Sequence, residues 1–82
     1  MPVTKGHSTD AVKFVTDKGY KRVAVEGDVS LFQSGRNPKR YAVTYGKQFT
    51  IGMDYGQAAT EYGACLMHQL VCDGILVSEP ED

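Results

Sequence analysis

The residue types best suited to chemistry sit on one short stretch, Cys65-Leu66-Met67-His68-Gln69-Leu70-Val71-Cys72. Thiolates and imidazoles ligate zinc, and a thiol beside an imidazole can act as a nucleophile. Both chemistries require the groups to converge on one point. On a helix Cys65 and Cys72 stand two turns apart, about 10.5 Å along the axis. One ion with bonds of about 2.0–2.3 Å does not hold both. The only other histidine is His7. Glu61, the nearest acid, precedes His68 by seven residues, too far along one helix to orient an imidazole. No nucleophile elbow, phosphate-binding loop or paired-carboxylate pattern occurs. These spacings predict no metal, no cofactor and no enzymatic activity. Cys65 and Cys72 read as small, half-buried side chains beside a surface histidine.

The helix that carries these residues is predicted from Tyr55 to Cys72, with Asp54 as N-cap and Gly74 as the left-handed residue after its end. Ala59, Tyr62, Leu66 and Leu70 fall on one stripe at helical spacing and form the expected contact with a sheet. Before the helix, three segments alternate at strand period: 20–26, 29–33 and 41–53, the last broken by Gly46-Lys47 as a type II′ hairpin turn. Tyr41, Val43 and Tyr45 share one face, and Phe49, Ile51 and Met53 continue the alternation on the return strand. Residues 34–38, Ser-Gly-Arg-Asn-Pro, read as a loop. Ser8-Thr9-Asp10 offers capping groups for a short helix ended by Gly19, with a strand over 11–16 as the alternative.

The expectation is one α+β domain over residues 1–82. Its antiparallel sheet has three to four strands packed on the C-terminal helix, with a short N-terminal helix. Residues 1–7 and 78–82 are expected to be flexible ends. Two cysteines make no disulfide framework, and no run of about 18 apolar residues suggests a membrane span. With no apolar segment near Met1, these features point to a reducing compartment, the cytoplasm of a bacterial host.

Charge is the strongest signal. All nine lysines and arginines lie before residue 48, where four acids accompany them; residues 48–82 hold six acids and no base. A near-neutral total of −1 thus divides into +5 and −6, a pattern that suits a partner that reads charge. Arg36, Lys39, Arg40 and Lys47 are predicted to form a basic rim that docks an acidic partner surface. Reversing Arg36 and Arg40 is expected to weaken that binding at least tenfold, about 1.4 kcal/mol.

A second candidate surface is the helix face of Gln57, Glu61, Ala64, His68, Val71 and Cys72, placed opposite the Leu66–Leu70 stripe. Glu61 is the one charge between Tyr55 and Cys72. A solvated helix normally carries more, so this face suits coverage by a partner or by a second copy in a homodimer.

Three resemblances follow from the residues. Lys39-Arg40-Tyr41-Ala42-Val43-Thr44-Tyr45 resembles an RNA-recognition strand, which would imply aromatics stacking on bases. Val43 stands where that motif has an aromatic, and the glycine after the basic residue is missing. The order of elements is also similar to double-stranded RNA-binding domains. Their lysine-rich start to the last helix is replaced here by Asp54-Tyr55-Gly56-Gln57. The hairpin 41–53 followed by Gln57-Ala58-Ala59-Thr60-Glu61-Tyr62 resembles the layout of small phage accessory proteins of the anti-CRISPR class, over roughly residues 20–74. That resemblance implies a non-enzymatic inhibitor that binds Cas proteins, a nucleic-acid-handling complex, and blocks target DNA binding or cleavage. A small nucleic-acid-binding module using the basic, tyrosine-containing hairpin is the alternative.

Overall fold

The structure, a computed structural model, describes residues 3–35 and 39–75. The chain runs β1 (Thr4–His7), α1 (Ala11–Asp17), β2 (Tyr20–Glu26), β3 (Val29–Ser34), β4 (Tyr41–Tyr45), β5 (Gln48–Met53) and α2 (Tyr55–Cys72). All strand pairs are antiparallel, in the order β1-β5-β4-β3-β2. The α+β class holds, and the sheet has five strands rather than three or four. The added strand is β1, from a segment expected to be a flexible end. It pairs with β5 from Thr4 opposite Ile51 to His7 opposite Gln48.

The helix reading of 11–17 holds over the strand alternative. Asp10 caps α1 by accepting from the Lys13 N–H at 3.0 Å, and Gly19 leaves it at φ +95°. α1 covers one face of the sheet, where Ala11 and Val15 pack on Phe32, Ala42 and Phe49. α2 covers the other, where Ala58 packs with Val29, Val43 and Met53. The sheet is therefore sandwiched, not covered on a single side.

Two bulges account for the departures from simple alternation. In β5, Tyr41 pairs with Met53 but Val43 with Thr50, so β5 has one extra residue there. Gly52, at φ +79°, takes the left-handed conformation that this insertion requires. Phe49 and Ile51 thus face α1, while Met53 turns to α2. In β2 the extra residue is Val23, between Arg22 opposite Phe32 and Ala24 opposite Leu31. Val23 and Val25 are both 54% exposed.

α2 keeps Tyr62 and Leu66 of the predicted stripe against the sheet but is rotated by less than one residue from it. Ala58 is 3% exposed, whereas Ala59 faces solvent. Tyr62, Cys65 and Leu66 complete the contact, and Leu70 lies half-buried at its margin. Both predicted helix ends hold. Asp54 and Gln57 form a reciprocal capping box, with bonds of 2.8 and 3.0 Å. At the other end Gly74, at φ +78°, sends its N–H to Val71, and Ile75 sends its own to Leu70. That pair of bonds is a Schellman motif.

α2 also clamps the β2–β3 turn. Gln69 Oε1 accepts from Asp28 N at 2.7 Å, and Nε2 donates to the Glu26 carbonyl at 3.0 Å. Gly27 sits between them at φ +60°, where a Cβ would come within 2.6 Å of Gln69 Oε1. Gly27→Ala is expected to cost about 1–2 kcal/mol from its left-handed backbone alone, with further loss as Gln69 is displaced. Urea denaturation of the variant checks this.

Candidate partner-binding surface

α2 lies mainly over β3 and β4 and leaves a cleft beside the β1–β5 side of the sheet. The cleft has a volume of about 630 Å³ and is walled by His7, Tyr45, Lys47, Gln48, Cys65 and His68, among others. Each wall has a local cause. β1 brings His7 opposite Gln48. The β4–β5 turn, with Gly46 at φ +60°, carries Lys47 outward beyond the paired Tyr45 and Gln48. α2 contributes Ala64, Cys65 and His68.

Tyr45 and His68 tie the hairpin to the helix. Tyr45 Oη lies 3.1 Å from His68 Nδ1, and the two rings meet edge to face with centroids 5.6 Å apart. In the tautomer where Nδ1 accepts the tyrosine hydrogen, Nε2 carries the other hydrogen and can donate to a ligand. Cys72 Sγ approaches the same Nδ1 at 3.6 Å. Tyr45 Oη and Cys72 Sγ thus converge on the same ring nitrogen rather than on opposite sides of the imidazole. Among the described residues, no three His, Cys, Asp or Glu side chains are grouped to hold a metal ion.

Cys65 is half-buried, whereas Cys72 is exposed. Burial raises the Cys65 thiol pKa above the ordinary 9.0, the nearby Glu61 carboxylate adds to this, and Lys5 opposes it. Glu61 lies 3.8 Å from the Cys65 sulfur and 3.9 Å from Lys5 Nζ. Burial also raises the Tyr45 phenol, helped by Cys72, Asp28 and Asp73. The native fold thus favours the neutral form of both groups. The sign follows: an unfolded thiol loses its proton first, so stability is kept below 9.0 and lost as pH rises past that value. The melting temperature is expected to hold from neutral pH to that point and then decline. In the native state an alkylating reagent should modify exposed Cys72 well before half-buried Cys65. Peptide mass spectrometry of timed samples reads the order.

The structure regroups the predicted site residues. Arg36 lies outside the described residues. Lys39 is exposed. Arg40 is half-buried, and its backbone N–H donates to Ser34 Oγ at 3.1 Å. Its carbonyl accepts from Ser34 N at 2.8 Å. Lys39 and Arg40 precede β4, whereas Lys47 follows it. Five strand residues, roughly 17 Å at strand rise, separate the two ends, so Lys47 does not share a rim with Lys39 and Arg40.

The helix set of Gln57, Glu61, Ala64, His68, Val71 and Cys72 is a flank facing the β1 side rather than the face opposite the core. Gln57 is engaged in the cap and Glu61 with Lys5 and Cys65. Ala64 and His68 join Lys47 in the cleft. His7, Tyr45 and Gln48 are cleft residues that the sequence reading missed. The alternating placement of Lys5 and His7 was the one signal for His7, and it is too short to mark a strand; Tyr45 was read only as an aromatic of the basic hairpin.

Tyr41 and Tyr45 pack under α2, and Tyr41 meets Tyr55 edge to face at 5.9 Å. Both rings are held against α2, and Tyr45 also walls the cleft. No family model, curated protein or solved structure is significantly similar to the chain. No helix among the described residues is long and apolar enough to cross a membrane.

Proposed function

We propose that the protein is a small non-enzymatic binding module that seats an acidic element of a partner protein in the cleft of His7, Lys47 and His68. One observation carries the reading: Lys47 from the basic half and Ala64, Cys65 and His68 from the low-charge helix flank line the same cleft. Lys47 supplies a cation, Gln48 and the histidines supply hydrogen-bond donors, and Ala64 and Cys65 supply an apolar wall. A carboxylate on an otherwise apolar segment matches that combination. The domain acts by stoichiometric occupation, and its working place is the cytoplasm of a bacterial host.

The partner class favoured by size and element layout is the Cas machinery, with the protein acting as an anti-CRISPR inhibitor of target DNA binding or cleavage. Mixing the protein with purified Cas effector complexes and resolving the mixture by size-exclusion chromatography tests this. Co-elution with loss of DNA cleavage is expected. Co-elution with none of them removes the Cas assignment. The protein alone is titrated with DNA and RNA at several salt concentrations in parallel. Tight binding with a steep log–log fall in affinity would favour the nucleic-acid-binding alternative.

A further inference from the structure

β2 forms the sheet edge opposite the cleft. Among the described residues it pairs with β3 on one side only, so its outer row of backbone N–H and C=O groups is open to another strand. The charges on this edge are ordered. Lys21 and Arg22 stand at its start, Glu26 at its end. Lys21 and Glu26 are five residues apart and would lie on opposite faces of a regular strand. The bulge at Val23 changes that. Lys21 pairs with Gln33 and Glu26 with Val29, two β3 residues of the same parity, so both side chains lie on the α2 face. Arg22 and Val25, opposite Phe32 and Ser30, share the other face.

The geometry points to self-association: we infer that β2 pairs antiparallel with β2 of a second copy across a two-fold axis. In that register Lys21 of each copy meets Glu26 of the other, Arg22 meets Val25, and Val23 meets Ala24. The symmetry makes two equivalent ion pairs around an apolar centre. The exposed Val23 and Val25 are covered at the same time. Next to this edge, a trough beside α2 is lined by Leu66, Leu70 and Ile75, with Glu26 and Asp28 at its rim. Ile75 is 68% exposed, and in this register the two troughs, each at the Glu26 end of its own copy, lie at opposite ends of the paired strands. The cleft lies at the other edge of the sheet and stays open in such a dimer, so this inference stands or falls separately from the proposed function.

Sedimentation equilibrium of the full chain over micromolar to roughly millimolar concentrations tests it. The parent is expected to reach twice the 9.0 kDa chain mass. Lys21→Glu and Glu26→Lys alone should each weaken dimerisation at least tenfold, with circular dichroism unchanged because both side chains are exposed. An equimolar mixture of the two variants restores both ion pairs and should recover the dimer. A parent that stays monomeric across the range overturns the inference. So does a dimer that neither single variant weakens, or a mixture that remains monomeric.

Discussion

Phe32→Ala is expected to remove about 3–5 kcal/mol of stability, the usual cost of truncating a buried aromatic. A domain of this size has roughly 5–15 kcal/mol in total, so the variant should be largely unfolded at 37 °C. Phe32 is fully buried at the centre of the sheet, on the face covered by α1. Its strand is hydrogen-bonded on both sides, to β2 and β4. Neighbouring side chains therefore have little freedom to collapse into the space it leaves. Equilibrium urea unfolding measures the loss. A midpoint close to that of the parent would mean that this face is not a core.

Phe49→Ala is expected to cost a similar amount, about 3–5 kcal/mol, but to act through the N-terminal segment. The Phe49 ring stacks on Phe14 of α1 with centroids 4.3 Å apart. It also lies against Gly6 of β1, where even a Cβ would come within 2.7 Å of its edge. One side chain thus holds both β1 and α1 to the sheet. Hydrogen exchange should accelerate first in residues 4–17 of the variant, before the β3–β4 pair is affected. Uniform acceleration across the chain would contradict that division.

Much of this architecture was legible because strand period and capping chemistry are local. Asp54, Gly74 and the Gly46-Lys47 turn act within a few residues of themselves, and all three serve as expected. β1 was not legible. Thr4-Lys5-Gly6-His7 shows no apolar alternation because, as an edge strand, it leaves most of its side chains in water. The second face of the sheet was hidden by the buried polar residues Ser30 and Thr44, which blur the pattern of Phe32 and Ala42. Bulges depend on tertiary pairing, so neither the extra Val23 nor the turn of Met53 toward α2 shows in the sequence. The rotation of α2 is less than one residue's 100° turn: Tyr62 and Leu66 keep their contact, and Ala58 takes the place of its equally small neighbour Ala59.

The candidate site was legible in parts. Lys47 and His68 stood out by type and position, each in a different predicted patch. Their meeting in one cleft depends on how α2 crosses the hairpin and on the Tyr45–His68 contact. Neither is encoded at short range. The basic rim fails as a single patch for the converse reason: Lys39, Arg40 and Lys47 are near in sequence, yet β4 holds them apart.

The central claim is that the His7–Lys47–His68 cleft binds the partner. Calorimetric titration of a partner complex with two charge-reversed variants tests it most directly. One carries Lys47→Glu and His68→Glu in the cleft; the other carries Lys39→Glu and Arg40→Glu at the far end of β4. The cleft variant is expected to bind at least tenfold more weakly, about 1.4 kcal/mol or more, while the far-end variant binds like the parent. Parent-like binding by the cleft variant, together with loss in the far-end variant, would contradict the account and place the working surface at Lys39 and Arg40.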